Sequence, residues 1–295
     1  MMPDSNTPSE RTEALEPFLK LSSDLKQAAR LLSKSQIRYL VDAYYQAQEN
    51  RIRADAQVRA AAAGEPNQLL TWNADNHRRF EENYKRALDA FTDEYAATRW
   101  AKSIVGIGPV ISAGLIAHLD IGKAKTAGHF WAFAGLDPTK KWEKGAKRPW
   151  NAELKTLVAF KLGECFVKFQ NHKNDTYGKL FRQERDKDEV TNGEGKFAEQ
   201  TREILAVKKF GADTEALKWY KEGKLPPAHL HARARRWVVK LFLSHLHHVM
   251  YVDWHGEEPM KPYAFERLSE DHRHFVPVPN WPWTGGGKSL RELKE

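Results

Sequence analysis

The sequence predicts an all-α protein, with a helical N-terminal segment followed by a helical domain. Residues 13–63 are rich in Ala, Leu, Gln, Lys and Arg, which favour helices. No Val/Ile-rich strand pattern with acidic residues at strand ends occurs before residue 100. A second helix is expected from about Asn73 to the glycine turn that begins at residue 106, because apolar residues recur along one helix face. That stripe, which we interpret as core, consists of Phe80, Tyr84, Leu88, Phe91 and Tyr95.

Composition changes along the chain predict four regions. We expect a disordered N-terminus over 1–12, a long-helix, coiled-coil-like segment over 13–100, a domain over 101–256 and a Pro/Trp-rich extended tail over 257–295. The first segment breaks at 64–67, Gly-Glu-Pro-Asn.

Within the third region, residues 186–227 read as an insertion. The Gly- and charge-rich stretch 186–195 is typical of a surface loop, and two short helices are expected to follow it. In the tail, Trp281 and Trp283 are expected to pack on the protein's own core; the alternative is that the tail wraps around a partner.

A Gly-Ile-Gly-Pro turn over 106–109 lies between two apolar helical runs, which is the pattern of a helix-hairpin-helix. The glycines permit a tight turn and close approach of a ligand, and proline suits a first helical turn. Free amides at the start of the following helix can bind an anion such as phosphate. An αα-turn without a ligand is the alternative. The candidate DNA-binding residues here are Gly106, Gly108, Pro109, Val110 and Ser112.

The residues after this hairpin follow a recognisable order: Asp120, Phe130, an Ala-Gly-Leu-Asp-Pro turn over 134–138, then a basic run. This order resembles the C-terminal domain of IS110/IS116/IS902-type transposases. The resemblance covers roughly 100–185, including Asn151, Leu154, Lys155 and Leu157, and 229–256 with its Arg-rich helix. It implies DNA binding in a transposition or recombination context.

Cations near these motifs are candidates for phosphate contacts, and solvated surface charge is the alternative. The predicted DNA-binding cations are Lys140, Lys141, Lys144, Lys147, Arg148, Lys155, Arg233, Arg235 and Arg236.

The sequence departs from the family where catalysis is concerned. The resemblance implies a nucleophilic serine in the loop after residue 138, but no serine occurs between Ser112 and Ser244. Thr139 is the one hydroxyl of that loop and is the candidate catalytic residue. The acidic RNase-H-like domain of the family is not found in the sequence. The alternatives to a DNA-binding protein are an active transposase with a non-standard or composite active site, and a non-catalytic protein-interaction module.

Composition limits the class of protein. The net charge of +8 and the pI near 9.3 favour nucleic acid as a partner. Mean hydropathy of −0.68, no membrane-length apolar run and no signal-peptide pattern predict a cytoplasmic protein without a membrane partner. A single cysteine, Cys165, provides neither a disulfide framework nor a thiolate zinc site.

The histidines within 229–255 lack the spacing of a metal-ligand set, so we expect neither a metal nor another cofactor. DNA is the expected partner. The sequence leaves open a guide RNA, a separate catalytic chain, and a homodimer formed through the N-terminal helices.

Overall fold

The computed structural model describes residues 20–61, 64, 67–260 and 276–294. Within them the protein is all-α, as predicted, and one isolated β-bridge joins Tyr95 to Lys288. The predicted disordered region 1–12 lies outside the described residues. The helices are α1 (Ser23–Ala29), α2 (Lys34–Ala61), α3 (Gln68–Thr92), α4 (Ala96–Lys102), α5 (Pro109–His118), α6 (Ala127–Phe133), α7 (Ala152–Thr156), α8 (Gly163–Phe169), α9 (Tyr177–Gly193), α10 (Ala198–Val207), α11 (Glu215–Lys221) and α12 (Pro227–His255).

Three shorter elements complete the fold. A π-helical segment, Leu157–Leu162, joins α7 to α8, and 3₁₀ turns lie at Ile121–Lys123 and Leu290–Glu292. No described helix combines the length and apolarity needed to cross a membrane.

Helices α2 and α3 pack against each other and are joined by a polar cluster. The Glu81 carboxylate accepts hydrogen bonds from Tyr44, Gln48 and Arg51. Asn67 caps α3, since its side chain accepts a hydrogen bond from the Leu69 amide at 2.8 Å. These contacts hold the two long helices together as one platform.

The predicted aromatic stripe is confirmed as core. Leu88, Phe91 and Tyr95 are buried, while the half-buried rings of Phe80 and Tyr84 stack with centroids 6.4 Å apart. The prediction of one helix from about Asn73 to the hairpin is wrong, because the chain breaks between α3 and α4. There the tail pairs with the backbone: the Lys288 amide donates to the Glu94 carbonyl, and the Ala96 amide donates to the Lys288 carbonyl.

The main core runs continuously from the N-terminal helices to α12. It joins Ile37 of α2 and Phe91 of α3 with Trp100, Phe166 and Phe242, all fully buried. Trp100 and Phe242 stack at 5.9 Å. Helix α5 lies in the middle of this core, where every residue from Val110 to His118 is buried. The hairpin is thus mounted on a rigid support.

The predicted surface loop over 186–195 is wrong, because α9 continues through it to Gly193. The cause is long-range pairing that the local composition does not show. Asp188 is buried and pairs with Arg233 of α12, and the Asn192 side chain both donates to and accepts from the Leu225 backbone. Helices α10 and α11 confirm the two predicted short helices, and a small second core forms around Tyr220, Leu225 and Leu230.

The described part of the tail, 276–294, packs on the protein's own core, as predicted. Trp281 and Trp283 contact the core, and the Trp100 indole donates to the Pro279 carbonyl at 2.8 Å. Leu290 and Leu293 are buried, and the Leu290 amide donates to the Asp253 carboxylate. This packing places the apolar side chains of the described segment against the protein itself.

Candidate nucleic-acid interface

The turn between α4 and α5 requires glycine at its first position. Gly106 has φ of +90°, in the left-handed region. A Cβ atom at this position would lie 2.9 Å from Cδ2 of Phe169 and 3.4 Å from Cβ of Cys165. Conformation and packing both therefore exclude a side chain at Gly106, and the turn is held against α8.

Gly108 has a different role from the one predicted. Its φ of −96° and ψ of −179° are ordinary extended values that any residue adopts, so the tight turn does not depend on glycine at this position. A Cβ atom there would have no neighbour within 4 Å. The missing side chain instead leaves open space directly above the backbone where α5 begins.

The start of α5 presents backbone donors to that space. Pro109 occupies the first helical position, as predicted. Within the described part of the chain, the amides of Gly106, Gly108, Val110 and Ile111 have no hydrogen-bond acceptor. A helix N-terminus with free amides and a partial positive charge can bind an anion. The side chain of Val110 is buried, so only its amide can contact a ligand. Sequence reasoning missed the amide of Ile111.

Ser112, which the sequence analysis grouped with the DNA-binding residues, does not lie on this surface. The residue is fully buried, its hydroxyl donates to the Thr98 carbonyl at 3.1 Å, and its amide donates to the Gly108 carbonyl. Ser112 thus joins α5 to α4. The nearby Gly114 makes room for Leu157 of the π-helical segment, whose Cδ2 would lie 2.7 Å from a Cβ atom at this position.

Two neighbours of the hairpin escaped the sequence analysis. Lys168 is exposed on α8, with Nζ 5.9 Å from the ring centroid of Phe169, the residue that Gly106 contacts. Asn280 of the tail donates to the Ser103 hydroxyl at 2.8 Å. Lys168 belongs to no sequence motif, and Asn280 is 177 residues away from Ser103 along the chain. The surrounding sequence therefore did not indicate that either residue lies beside the hairpin.

Residues 139–148, here called the basic loop, form a second candidate surface. All are exposed, and none of the five loop cations forms an ion pair with a described carboxylate. The Trp142 indole donates to the Ala146 carbonyl at 2.7 Å, and the Arg148 guanidinium lies 5.3 Å from the centre of the same ring. The five cations are Lys140, Lys141, Lys144, Lys147 and Arg148.

Lys155 lies at the far end of this loop, in α7. Its Nζ is 4.1 Å from the centre of the Trp150 ring, a cation–π contact. Gly135, with φ of +65°, makes room for both side chains, because a Cβ there would lie within 3 Å of each. The Ala-Gly-Leu-Asp-Pro turn thus positions Lys155 beside the loop.

The three predicted arginines of α12 have different surroundings. Arg233 pairs with the buried Asp188 at 3.0 Å, and Arg235 pairs with Glu164. Arg236 is exposed and has no described ion-pair partner. Only Arg236 of the three therefore presents a charge that no carboxylate balances.

Lys240, one turn beyond Arg236, connects α12 to α6. Its Nζ lies 5.3 Å from the Trp131 ring, and the Trp131 indole donates to the Lys240 carbonyl. Burial, with the positive charges of Arg236 and Arg233, lowers the pKa of Lys240, while the charge of Asp137 acts in the opposite direction. The structure thus brings Lys240 close to Asp137, two residues before the loop begins. No described contact joins the loop to the hairpin.

Thr139, the candidate nucleophile, is held in a local turn. Both its amide, at 2.9 Å, and its hydroxyl, at 2.8 Å, donate to Oδ1 of Asp137. These two bonds hold the pKa of the Asp137 carboxyl below its usual value, which makes this carboxylate a weak base. Catalysis by Thr139 stays a prediction.

The histidines of α12 are engaged in the fold. The His245 imidazole donates from Nε2 to the Val276 carbonyl and accepts the Tyr177 hydroxyl at Nδ1, and His247 donates to the Ala124 carbonyl. No group of three described His, Cys, Asp or Glu side chains is arranged to hold a metal ion.

Comparison with known proteins adds one finding. Residues 99–143 match the model of the transposase IS116/IS110/IS902 family. The matched segment runs from α4 through the hairpin, α5 and α6 into the basic loop, and it is a small part of the 295-residue chain. The remaining stretches for which the sequence suggested a resemblance, including the Arg-rich helix, lie outside the match. No curated protein and no solved structure matches the chain significantly.

Proposed function

We propose that this protein binds the DNA backbone through the hairpin between α4 and α5, in a transposition or recombination context. The observation that carries the proposal is the set of free amides at the start of α5, facing open space at Gly108. This feature lies within the segment that matches the transposase family. A phosphate group fits both the donor set and the positive end of the helix.

The basic loop provides the long-range part of the attraction. Its five exposed cations, which have no carboxylate partner among the described residues, give a concentrated positive surface. Each cation that contacts a phosphate releases counterions, so binding depends steeply on salt. Because amides and lysines contact the backbone and not base edges, the proposed binding tolerates changes of sequence.

The experiment that tests this function is a duplex DNA titration with the Gly108→Val variant. Its extended backbone accepts valine, and the new side chain points into the space that a phosphate must enter. Hydrogen bonds to charged groups contribute roughly 1.5 to 3 kcal/mol each, so we expect an affinity loss of at least about tenfold. Gly106→Val is unsuitable, because the clash with Phe169 would disturb the fold.

Gly193→Val is the matched control. Gly193 also has no neighbour within 4 Å of a Cβ and lies at the end of α9, away from the hairpin. Thermal unfolding of both variants separates folding from binding, since valine at a helix N-cap costs roughly 1 kcal/mol relative to good capping residues. Equal affinities of wild type and a folded Gly108→Val variant would refute phosphate binding by the hairpin.

A further inference from the structure

Three aromatic side chains around the basic loop do not contribute to the hydrophobic core. Phe133 and Trp142 are each 43% exposed, and Trp150 is half-buried. None of the three belongs to the main core or packs against it, in contrast to Trp100 and Trp131. Packing against the core therefore does not account for the position of the exposed Trp142 indole.

The rings of Trp142 and Trp150 have polar or cationic contacts within the loop region. The hydrogen bond from Trp142 to the Ala146 carbonyl fixes the indole, and Arg148 lies over the same ring. Lys155 lies over Trp150. The Asn151 amide donates to the Phe133 carbonyl at 2.9 Å, which brings Phe133 to the end of the loop. The loop region therefore places cations against two of its aromatic rings.

Such a surface suits a ligand with both negative charges and flat apolar rings. Duplex DNA offers the charges but keeps its bases stacked inside, whereas unpaired bases can stack on exposed aromatic side chains. We propose that Trp142 and Phe133 stack on unpaired bases, so that the preferred ligand is DNA with a single-stranded or locally opened segment. This proposal rests on the proposed function, because the cations of the same loop bind the phosphates.

The test compares three probes of equal length, about 20 nucleotides: a dT strand, the same strand with abasic sites at every position, and a duplex. The abasic strand keeps the phosphates and lacks the rings. Trp142→Ala is the variant. Trp72→Ala is the matched control, because Trp72 is 42% exposed on α3, outside the loop region. Binding is measured by fluorescence anisotropy at one fixed salt concentration.

We expect Trp142→Ala to lose about tenfold in affinity for the dT strand, the effect of one base–aromatic stack. Its affinity for the abasic strand and the duplex should stay within about twofold of wild type, and Trp72→Ala should bind all three probes like wild type. A loss on all three probes, or on none, overturns base stacking by Trp142. Salt-dependent duplex binding that Gly108→Val weakens would then leave the proposed function standing, whereas a wild type that binds no probe refutes both.

Discussion

Helix α12 and the basic loop look alike in sequence, since both carry clusters of cations, yet they use their charges differently. In α12, Arg233 and Arg235 pair with carboxylates that lie 45 and 71 residues away along the chain. In the loop, the five cations form no ion pair with a described carboxylate. Positive charge in α12 serves mainly the fold, and positive charge in the loop is available to a ligand.

The comparison shows why counting cations overestimates a binding surface. A paired arginine already has its charge balanced, and moving it to a phosphate would leave its carboxylate without a partner. For Arg233 that carboxylate is the buried Asp188, so release would be costly. An unpaired surface lysine exchanges only water and counterions for a phosphate.

Removing loop cations should give the largest effect. The triple variant Lys144→Gln, Lys147→Gln, Arg148→Gln is expected to lose on the order of several hundredfold in duplex affinity near 0.1 M salt, if each residue contacts a phosphate. The slope of log affinity against log salt should fall by about 3 in magnitude. Anisotropy titrations at several salt concentrations measure both quantities.

The matched control removes three exposed lysines near α10 and α11, by Lys208→Gln, Lys209→Gln and Lys221→Gln. It has the same net charge as the loop variant. If both triple variants lose affinity equally, the loop has no special role and only the overall charge attracts DNA.

The polar side chains of α12 that stabilise the fold should make the stability of the protein depend on pH. Burial lowers the pKa of His245 from 6.5 to about 4. Above pH 6.5 the imidazole is neutral in both states and contributes no pH dependence. Between pH 6.5 and about 4 the unfolded chain binds a proton that the folded chain does not, so the free energy of unfolding decreases as pH falls, by up to about 3 kcal/mol.

Urea unfolding at pH 7 and pH 4.5, for wild type and His245→Gln, measures this contribution. The variant should be less stable than wild type at pH 7, because it loses the bonds to Tyr177 and Val276, and should show a smaller loss on acidification. An equal acid-induced loss in both proteins would assign the pH dependence to other groups.

The sequence predicted what local chemistry determines. The glycine turn at Gly106, the proline at the start of α5, the helical class and the aromatic stripe all follow from conformational preference and periodicity. Ser112 could not be placed, because its hydroxyl partner belongs to another helix. Gly108 matches the hairpin motif. Only the structure shows that its missing side chain matters because it lets a ligand approach the backbone, and not because of the backbone conformation.

Contacts between distant residues account for the other errors. Asp188 lies in a stretch that reads as a loop, and its pairing with Arg233, 45 residues away, stabilises a helix there. The break between α3 and α4 depends on Lys288, which lies 194 residues from Glu94. Residue type does not identify such distant partners. The sequence therefore could not predict the helix break between α3 and α4, or that Arg233 has an ion-pair partner and Arg236 has none among the described residues.

Arg236 and Arg233 provide the finest test of the comparison, because they lie on one helix and differ in their partners. Arg236→Gln should weaken duplex binding about five- to tenfold, the effect of one phosphate contact near 0.1 M salt, without changing stability. Arg233→Gln should cost about 2 kcal/mol of stability, since it leaves Asp188 buried and unpaired, with little change in affinity. DNA titrations and urea unfolding give the affinity and the free energy of unfolding of each variant. If Arg233→Gln lowers affinity and Arg236→Gln lowers stability instead, the ion pair between Arg233 and Asp188 opens when DNA binds. Ion pairs in the free protein would then not identify the cations that contact DNA.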